Sequence, residues 1–278
     1  MSLDIATRTI LVDIVRQAAR AEILPRFRNL AAGDVAEKTS AQDLVTEADT
    51  AAEEMMTALI REALPQATVI GEEAVADDPT LLRHIAEAEF CVILDPIDGT
   101  WNYAKGISTY GVILAVTQRG ETVFGLLYDP TCDDWVWAAK GQGAWQSFAN
   151  GRTERLGVTV RDGFENGFVP FNLFAPGHQA RLGSMIPQFG RAYSLRCSCH
   201  EYRTLAAGHV DFGINAHLKP WDHAAGALIY QEAGGEARLL DGQPYRPTLL
   251  EGRLLLAPSA PQWAELQSLF AFLEEPAE

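Results

Sequence analysis

The sequence predicts an α+β protein built of stacked layers, and two patterns carry that expectation. Strand-like runs follow one another from about residue 67 to 139, while helix-like blocks lie before them and in the second half. Hydrophobic residues make up 47% of 278 residues, enough for a large core in one big domain or two tightly joined lobes.

Residues 3–30 have the periodicity of an amphipathic helix. Ile5, Val12, Val15, Ala19 and Ile23 recur at three- and four-residue steps, and Pro25 is expected to disturb or end the helix. A second helix is expected from near Thr46, with Ala48, Ala52, Met55, Met56, Leu59, Ile60 and Ala63 as its apolar stripe and Pro65 at its close. Strands are expected at 67–71, 90–94, 110–120, 121–130 and 134–139, with Gly120 and Gly141–Gly143 as hairpin turns. In the second half, 210–215 and 237–241 have strand patterns and 198–208 and 222–233 helix patterns, the last stopped by Gly234–Gly235. A shift in composition near Asn150–Gly151 separates an N-terminal α+β lobe, 1–150, from a C-terminal α/β lobe, 151–278, within one compact unit.

Charge narrows the partners. Lys and Arg number 22 against 37 Asp and Glu, a formal charge of −15, which disfavours nucleic acid because its phosphates would be repelled. Four cysteines are too few for a disulfide framework, and no run of about 18 apolar residues predicts a membrane span. The N-terminus lacks the basic-then-apolar order of a signal peptide. The expectation is a soluble protein of a reducing compartment, placed in the cytoplasm.

The chemistry concentrates in FCVILDPIDGT, residues 90–100. An apolar strand delivers Asp95 to its end, Pro96 stiffens the chain, and Gly99 permits an unusual backbone beside Asp98. Two carboxylates so close repel unless a cation lies between them, and hard divalent ions such as Mg²⁺ take such oxygen ligands. The alternative is a pair of ordinary Asp-Pro and Asp-Gly turns. Glu72 and Glu73 also stand at a strand end, after Gly71. Asp222, beside Trp221, opens a helical run and could equally serve as its cap. Asp49 forms a capping-box-like pair with Thr46.

These motifs together resemble the inositol monophosphatase family, the Mg²⁺-dependent, lithium-sensitive sugar-phosphatase group. GEE at 71–73, DPIDGT at 95–100 and WDHAAG at 221–226 match its signatures in order and spacing, as do DLVTEAD at 43–49 and Lys38, over nearly the whole chain to about Gly235. The resemblance implies a layered αβαβα fold, a homodimer, and hydrolysis of a small phosphate monoester by metal-activated water. It assigns a first Mg²⁺ to Glu72, Asp95 and the Ile97 carbonyl, and a second to Asp95, Asp98 and Asp222. A third, looser ion would sit near Glu72, with Asp49 close by. Gly99 and Thr100 would hold the phosphate, and Thr100 with Asp49 would orient the attacking water and take its proton. Metal ions suit this reaction because nucleophile and phosphate are both electron-rich. The alternatives on the same fold are a histidinol phosphatase, a 3′(2′),5′-bisphosphate nucleotidase, or a non-catalytic regulatory or binding member.

Two departures concern the rest of the substrate. Arg196, followed by Cys197 and Ser198, replaces the family's Gly-Ser/Thr-Ala segment, and Asn215 replaces a Glu that contacts sugar hydroxyls. Arg196 could meet a second anionic group, turn to solvent or pair with one of the many acids. Both changes put inositol specificity in question and leave the metal ligands intact. Cys197-Ser-Cys199-His200 is read as packing rather than a zinc site, since no second ligand pair accompanies it. His223 is either a partner of the site or a core or surface residue, Trp135, Trp137 and Trp145 are expected to pack a sheet face, and Asp133–Asp134 reads as an ordinary acidic loop.

Overall fold

The computed structural model describes residues 3–31 and 33–276. In chain order its principal elements are α1 (Ile5–Ala18), β1 (Val35–Ser40), β2 (Asp43–Thr46), α2 (Glu47–Ala63), β3 (Thr68–Gly71), α3 (Glu72–Asp77), α4 (His84–Glu87), β4 (Cys91–Asp98) and α5 (Thr100–Ala104). They continue with β5 (Gly111–Gln118), β6 (Glu121–Asp129), β7 (Asp134–Ala139), β8 (Ala144–Phe148), β9 (Thr153–Arg155), β10 (Asn166–Phe168), α6 (Pro176–Met185) and β11 (Arg191–Tyr193). The last are α7 (Ser198–Ala206), β12 (Phe212–Asn215), α8 (Pro220–Glu232), β13 (Glu236–Leu239), β14 (Leu254–Ala257) and α9 (Ala260–Phe270).

Period-two alternation sorts the first sheet's residues onto two faces. Its seven strands run in the order β3-β4-β5-β6-β7-β8-β9. Val92, Leu94, Val112 and Leu114 join the core under α1 and α2, whereas Cys91, Ile93, Ile113 and Ala115 join the core under α7 and α8. The other side of α7 and α8 meets Phe168, Leu254 and Leu256 of a five-stranded sheet ordered β11-β10-β12-β14-β13. That sheet's far face carries Phe212, Ile214 and Leu255 against Leu182 of α6 and Leu266 and Phe270 of α9. The result is the αβαβα sandwich.

The middle helix explains its own composition. Residues 221–230 of α8 are buried except Asp222, so the run AAGALIY is apolar on every side, as a helix between two sheets must be. Gly125 on β6 lets it approach closely: a Cβ there would stand 2.7 Å from the Ala225 carbonyl oxygen.

The expected helix at 3–30 is shorter than its pattern. The α-helix ends at Ala18, a π-helical turn covers Ala19–Ile23, and turns follow around Pro25, whose ring cannot continue the hydrogen-bond ladder. The hairpin β1–β2, the short strands β8–β11, α6, β14 and α9 carried too little periodicity to be predicted. Trp135 and Trp137 pack beneath α1, with Arg16 and Arg8 over their rings. Asp133 and Asp134 are more than loop acids: Asp133 takes both Arg16 and Arg20, and Asp134 pairs with Arg203, so they fasten α1 and α7 to the sheet.

Candidate active site

The segment DPID belongs to β4 itself, four residues beyond the expected strand end. Asp95 pairs with Ile113 and Asp98 with Gly111, so Pro96 and Ile97 together face only Val112. This is a β-bulge, and Pro96 suits it because a bulged position needs no ladder N–H. The bulge has a chemical consequence. In a regular strand, residues three apart point to opposite faces; one extra residue restores the parity and turns both carboxylates to one side. Gly99, at φ +87°, then turns the chain into α5 through the left-handed region, where a side chain is disfavoured.

Asp222, on the first turn of α8, completes a triad: Asp95, Asp98 and Asp222 each offer an oxygen within 4.8 Å of the others. Asp95 and Asp98 are buried, and Asp222 is open on its cleft side. Asp98 Oδ2 accepts from the Cys199 N–H at 2.5 Å and the Cys197 thiol at 3.0 Å. Asp95 Oδ1 is buried with no hydrogen-bond partner among the described residues. Burial, then the charges of Glu72, Asp98 and Asp222, drive the Asp95 pKa well above the usual carboxylate range. Burial, then Asp98 and Glu72, push Asp222 up to about 8. Burial raises Asp98 to about 6 against the hydrogen bonds from Cys197, Cys199 and Ser198. Three crowded oxygen anions, one with an orphaned lone-pair oxygen, fit a hard divalent cation.

Glu72 stands apart from that triad. It begins α3, and β3 runs parallel to β4 with Gly71 opposite Leu94, so Glu72 comes beside Asp95. Its Oε1 meets Lys38 Nζ at 3.1 Å, and Lys38 also holds Glu73 at 2.7 Å. Burial opposes the Lys38 charge, yet the two glutamates hold its pKa above the usual value. Underneath, the buried Glu53 accepts the N–H groups of Glu73 and Ala74, both at 2.9 Å, and so anchors the turn that carries Glu72. Nothing in the local sequence singled out Glu53; an acid on the buried stripe of α2 was the available signal.

Asp49 and Thr100 come together as expected. Thr100 Oγ1 lies 3.1 Å from Asp49 Oδ1 and 2.9 Å from the Ile97 carbonyl, and its one proton serves one of them at a time. Asp49 is also the capping partner of Thr46, accepting its N–H at 2.9 Å and its hydroxyl at 2.5 Å. Burial is the first cause of an Asp49 pKa near 7; Glu73 and Glu72 add to it and Thr46 opposes it.

A cleft of about 600 Å³ opens over the site. Glu72, Asp98, Gly99, Thr100 and Asp222 line it together with Arg196, Ser198 and Asn215. Asp49 and Asp95 lie beneath. The three cysteine-region side chains diverge: Cys197 faces Asp98, Cys199 lies against the Tyr128 carbonyl, and His200 Nε2 meets the Tyr110 carbonyl at 3.0 Å. Packing therefore describes Cys199, but Cys197 additionally tethers an acid of the site. His223 is buried between the Tyr202 hydroxyl and the His217 carbonyl, and burial pushes its pKa down to about 4.

Layered sheets, a carboxylate cluster at a bulged strand end and a polar cleft are the features of a metal-dependent phosphatase. The chain belongs to the inositol monophosphatase family, whose model matches residues 6–275. It is 28% identical to the inositol-1-monophosphatase of Bacillus subtilis over 79% of this chain and 80% of that one. It is 30% identical to the fructose-1,6-bisphosphatase/inositol-1-monophosphatase of Thermotoga maritima over 73% of each, and 32% identical to the Nus factor SuhB of Pasteurella multocida over 70% and 72%. The fold matches an inositol monophosphatase structure from T. maritima with a TM-score of 0.80 at 23% identity, covering 98% and 99% of the two chains.

Proposed function

We propose that this protein hydrolyses a small phosphate monoester with Mg²⁺ as cofactor. The observation that carries this is the convergence of Asp95, Asp98 and Asp222 beneath a cleft that also exposes Thr100 and Glu72. Asp95, Asp98 and Asp222 would hold one ion of two or three, with Glu72 and the Ile97 carbonyl as further ligands. When bound, such ions offset the phosphate's charge and acidify water. The chain's own residues do the rest. Gly99 and Thr100 offer backbone N–H groups to the phosphate oxygens. The Thr100 hydroxyl hands its proton to Asp49 as it takes one from the attacking water, a route that the 3.1 Å Thr100–Asp49 contact supports. The cleft, lined by Arg196, Ser198 and Asn215, receives the leaving group.

The test is a panel of phosphate monoesters, including inositol 1-phosphate, histidinol phosphate and 3′-phosphoadenosine 5′-phosphate, assayed with Mg²⁺ and with EDTA. Phosphate release that needs the metal supports hydrolysis. Silence across the panel sinks it and favours a non-catalytic member.

A further inference from the structure

We infer that Arg196 makes this site selective for monoesters whose leaving group carries a second anion, a carboxylate or a second phosphate. This inference rests on the hydrolase function proposed above and narrows its substrate class.

Position comes first. Arg196 lines the same cleft as Asp98, Thr100 and Asp222, so a ligand filling it meets all of them. Its backbone comes next. Arg196 has φ +54°, in the left-handed region where glycine is at ease and an arginine costs stability. The turn is clamped around it: its own N–H donates to Ser194 Oγ at 3.0 Å, and Asn102 Nδ2 donates to the preceding Leu195 carbonyl at 2.9 Å. A residue kept in an unfavourable conformation at a cleft wall points to a use for its side chain.

The side chain is held out in one orientation. Its guanidinium lies over the Trp101 ring, 4.0 Å from the centroid, and donates to Gln42 Oε1 at 3.0 Å and the Gln42 carbonyl at 3.5 Å. Two of five N–H groups are thereby occupied, and the planar fork keeps others for a bidentate partner. Stacking and neutral acceptors orient the group without neutralising it.

Its charge is also unspent. Among the described residues Arg196 has no carboxylate within ion-pair distance, in a chain with 37 acids and 22 bases. The other cation on the cleft, Lys219, sits in the field of Asp222 and Glu72, and Lys38 beside them is bound to Glu72 and Glu73. Arg196 is therefore the cleft cation able to meet an anion from outside. Turning freely to solvent is excluded by the Trp101–Gln42 clamp, and pairing with a nearby acid by the ion-pair geometry.

The experiment compares kcat/KM for two substrate groups on the metal-loaded protein. Glycerol 2-phosphate and inositol 1-phosphate have neutral leaving groups; 3-phosphoglycerate adds a carboxylate and fructose 1,6-bisphosphate a phosphate. Arg196→Gly is expected to lower the ratio of second-anion to neutral substrates by about tenfold to a hundredfold, the scale of a charge-assisted bidentate contact. Arg196→Lys, keeping the charge without the fork, is expected to fall between. The more affected of the two anionic substrates identifies which anion is recognised. Melting temperature separates a structural role: Gly relieves the left-handed backbone, so the variant should melt no lower than the parent protein. A ratio unmoved within about twofold, or both substrate groups falling together with a lower melting temperature, overturns the inference and makes Arg196 a brace between Gln42 and Trp101. Silence of the unsubstituted protein on these four substrates and on the wider panel above removes the hydrolase function and this inference with it, whereas turnover with an unmoved ratio, or turnover of histidinol phosphate alone, removes this inference alone.

Discussion

Two parts of the cleft lining are built differently. At the floor, Asp95, Asp98 and Asp222 ride on the bulged end of a central strand and the first turn of the central helix, and Asp98 is tied in turn by Cys197 and Cys199. Elsewhere in the lining, Arg196 and Asn215 stand where chain segments leave their elements; Arg196 is oriented by Trp101 and Gln42, and Asn215 accepts one hydrogen bond, from the His217 N–H. The floor is over-determined because crowded anions in a dry setting are tolerable only in one arrangement that a cation can serve. These positions can change one residue at a time without disturbing the layers. On the proposed function, chemistry would belong to the frame and selectivity to the loops.

The sharpest way to break that contrast is at the floor. Asp95→Asn is expected to cut turnover by at least about a hundredfold, the scale of losing one electrostatic group at a reacting centre. It should leave circular dichroism and the metal-free melting temperature little changed, since Asn keeps the shape and neutrality of the protonated acid that the metal-free fold holds. Near-normal activity would show that Asp95 is no shared ligand.

A step further from the reacting atoms, Glu53→Ala would leave two partly buried N–H groups of α3 unpaired and is expected to cost about 2 kcal/mol in urea unfolding. It should also weaken Mg²⁺ activation through the displaced Glu72. A Glu53→Ala protein with parental stability and metal dependence would mean that α3 holds its place by other contacts.

The third effect is smaller and depends on pH. With metal removed by EDTA, the folded protein holds protons on Asp222, near 8, and Asp95, well above the ordinary range, that the unfolded chain releases near 3.8. Stability from Asp222 is full below about pH 4 and is lost as pH rises through about 8, and Asp95 acts in the same direction, so the melting temperature should fall by a few degrees from about pH 6.5 to 8.5. His223 adds nothing in that window, because its folded value near 4 costs stability only below its unfolded value of 6.5. Added Mg²⁺ should raise the melting temperature more at the alkaline end. A metal-free melting curve flat across the window would place the carboxylates too far apart to repel.

Much of this was legible in the chain itself. The apolar runs at 110–120 and 121–130 read directly as strands, and the Ala-rich run at 222–233 read as a helix; that this helix is buried on every side came from the structure. The short second sheet was mostly hidden, because β10, β11 and β14 have three or four residues each and draw their hydrogen bonds from distant neighbours. Among the acids, Asp95, Asp98 and Asp222 declared themselves by type and context. Glu53, Cys197 and Gln42 did not, since each matters only through a partner tens of residues away.

The amino-acid order alone determined which residues alternate, which segments stop at proline or glycine, and which acids sit at element ends, because those are local consequences of backbone geometry. Tertiary structure alone decided that two aspartates three apart face the same way, that Glu72 is shared with Lys38, and that Arg196 keeps its charge free over Trp101. Those outcomes depend on strand register and on side chains meeting across the layers, and neither is encoded within any single stretch of chain.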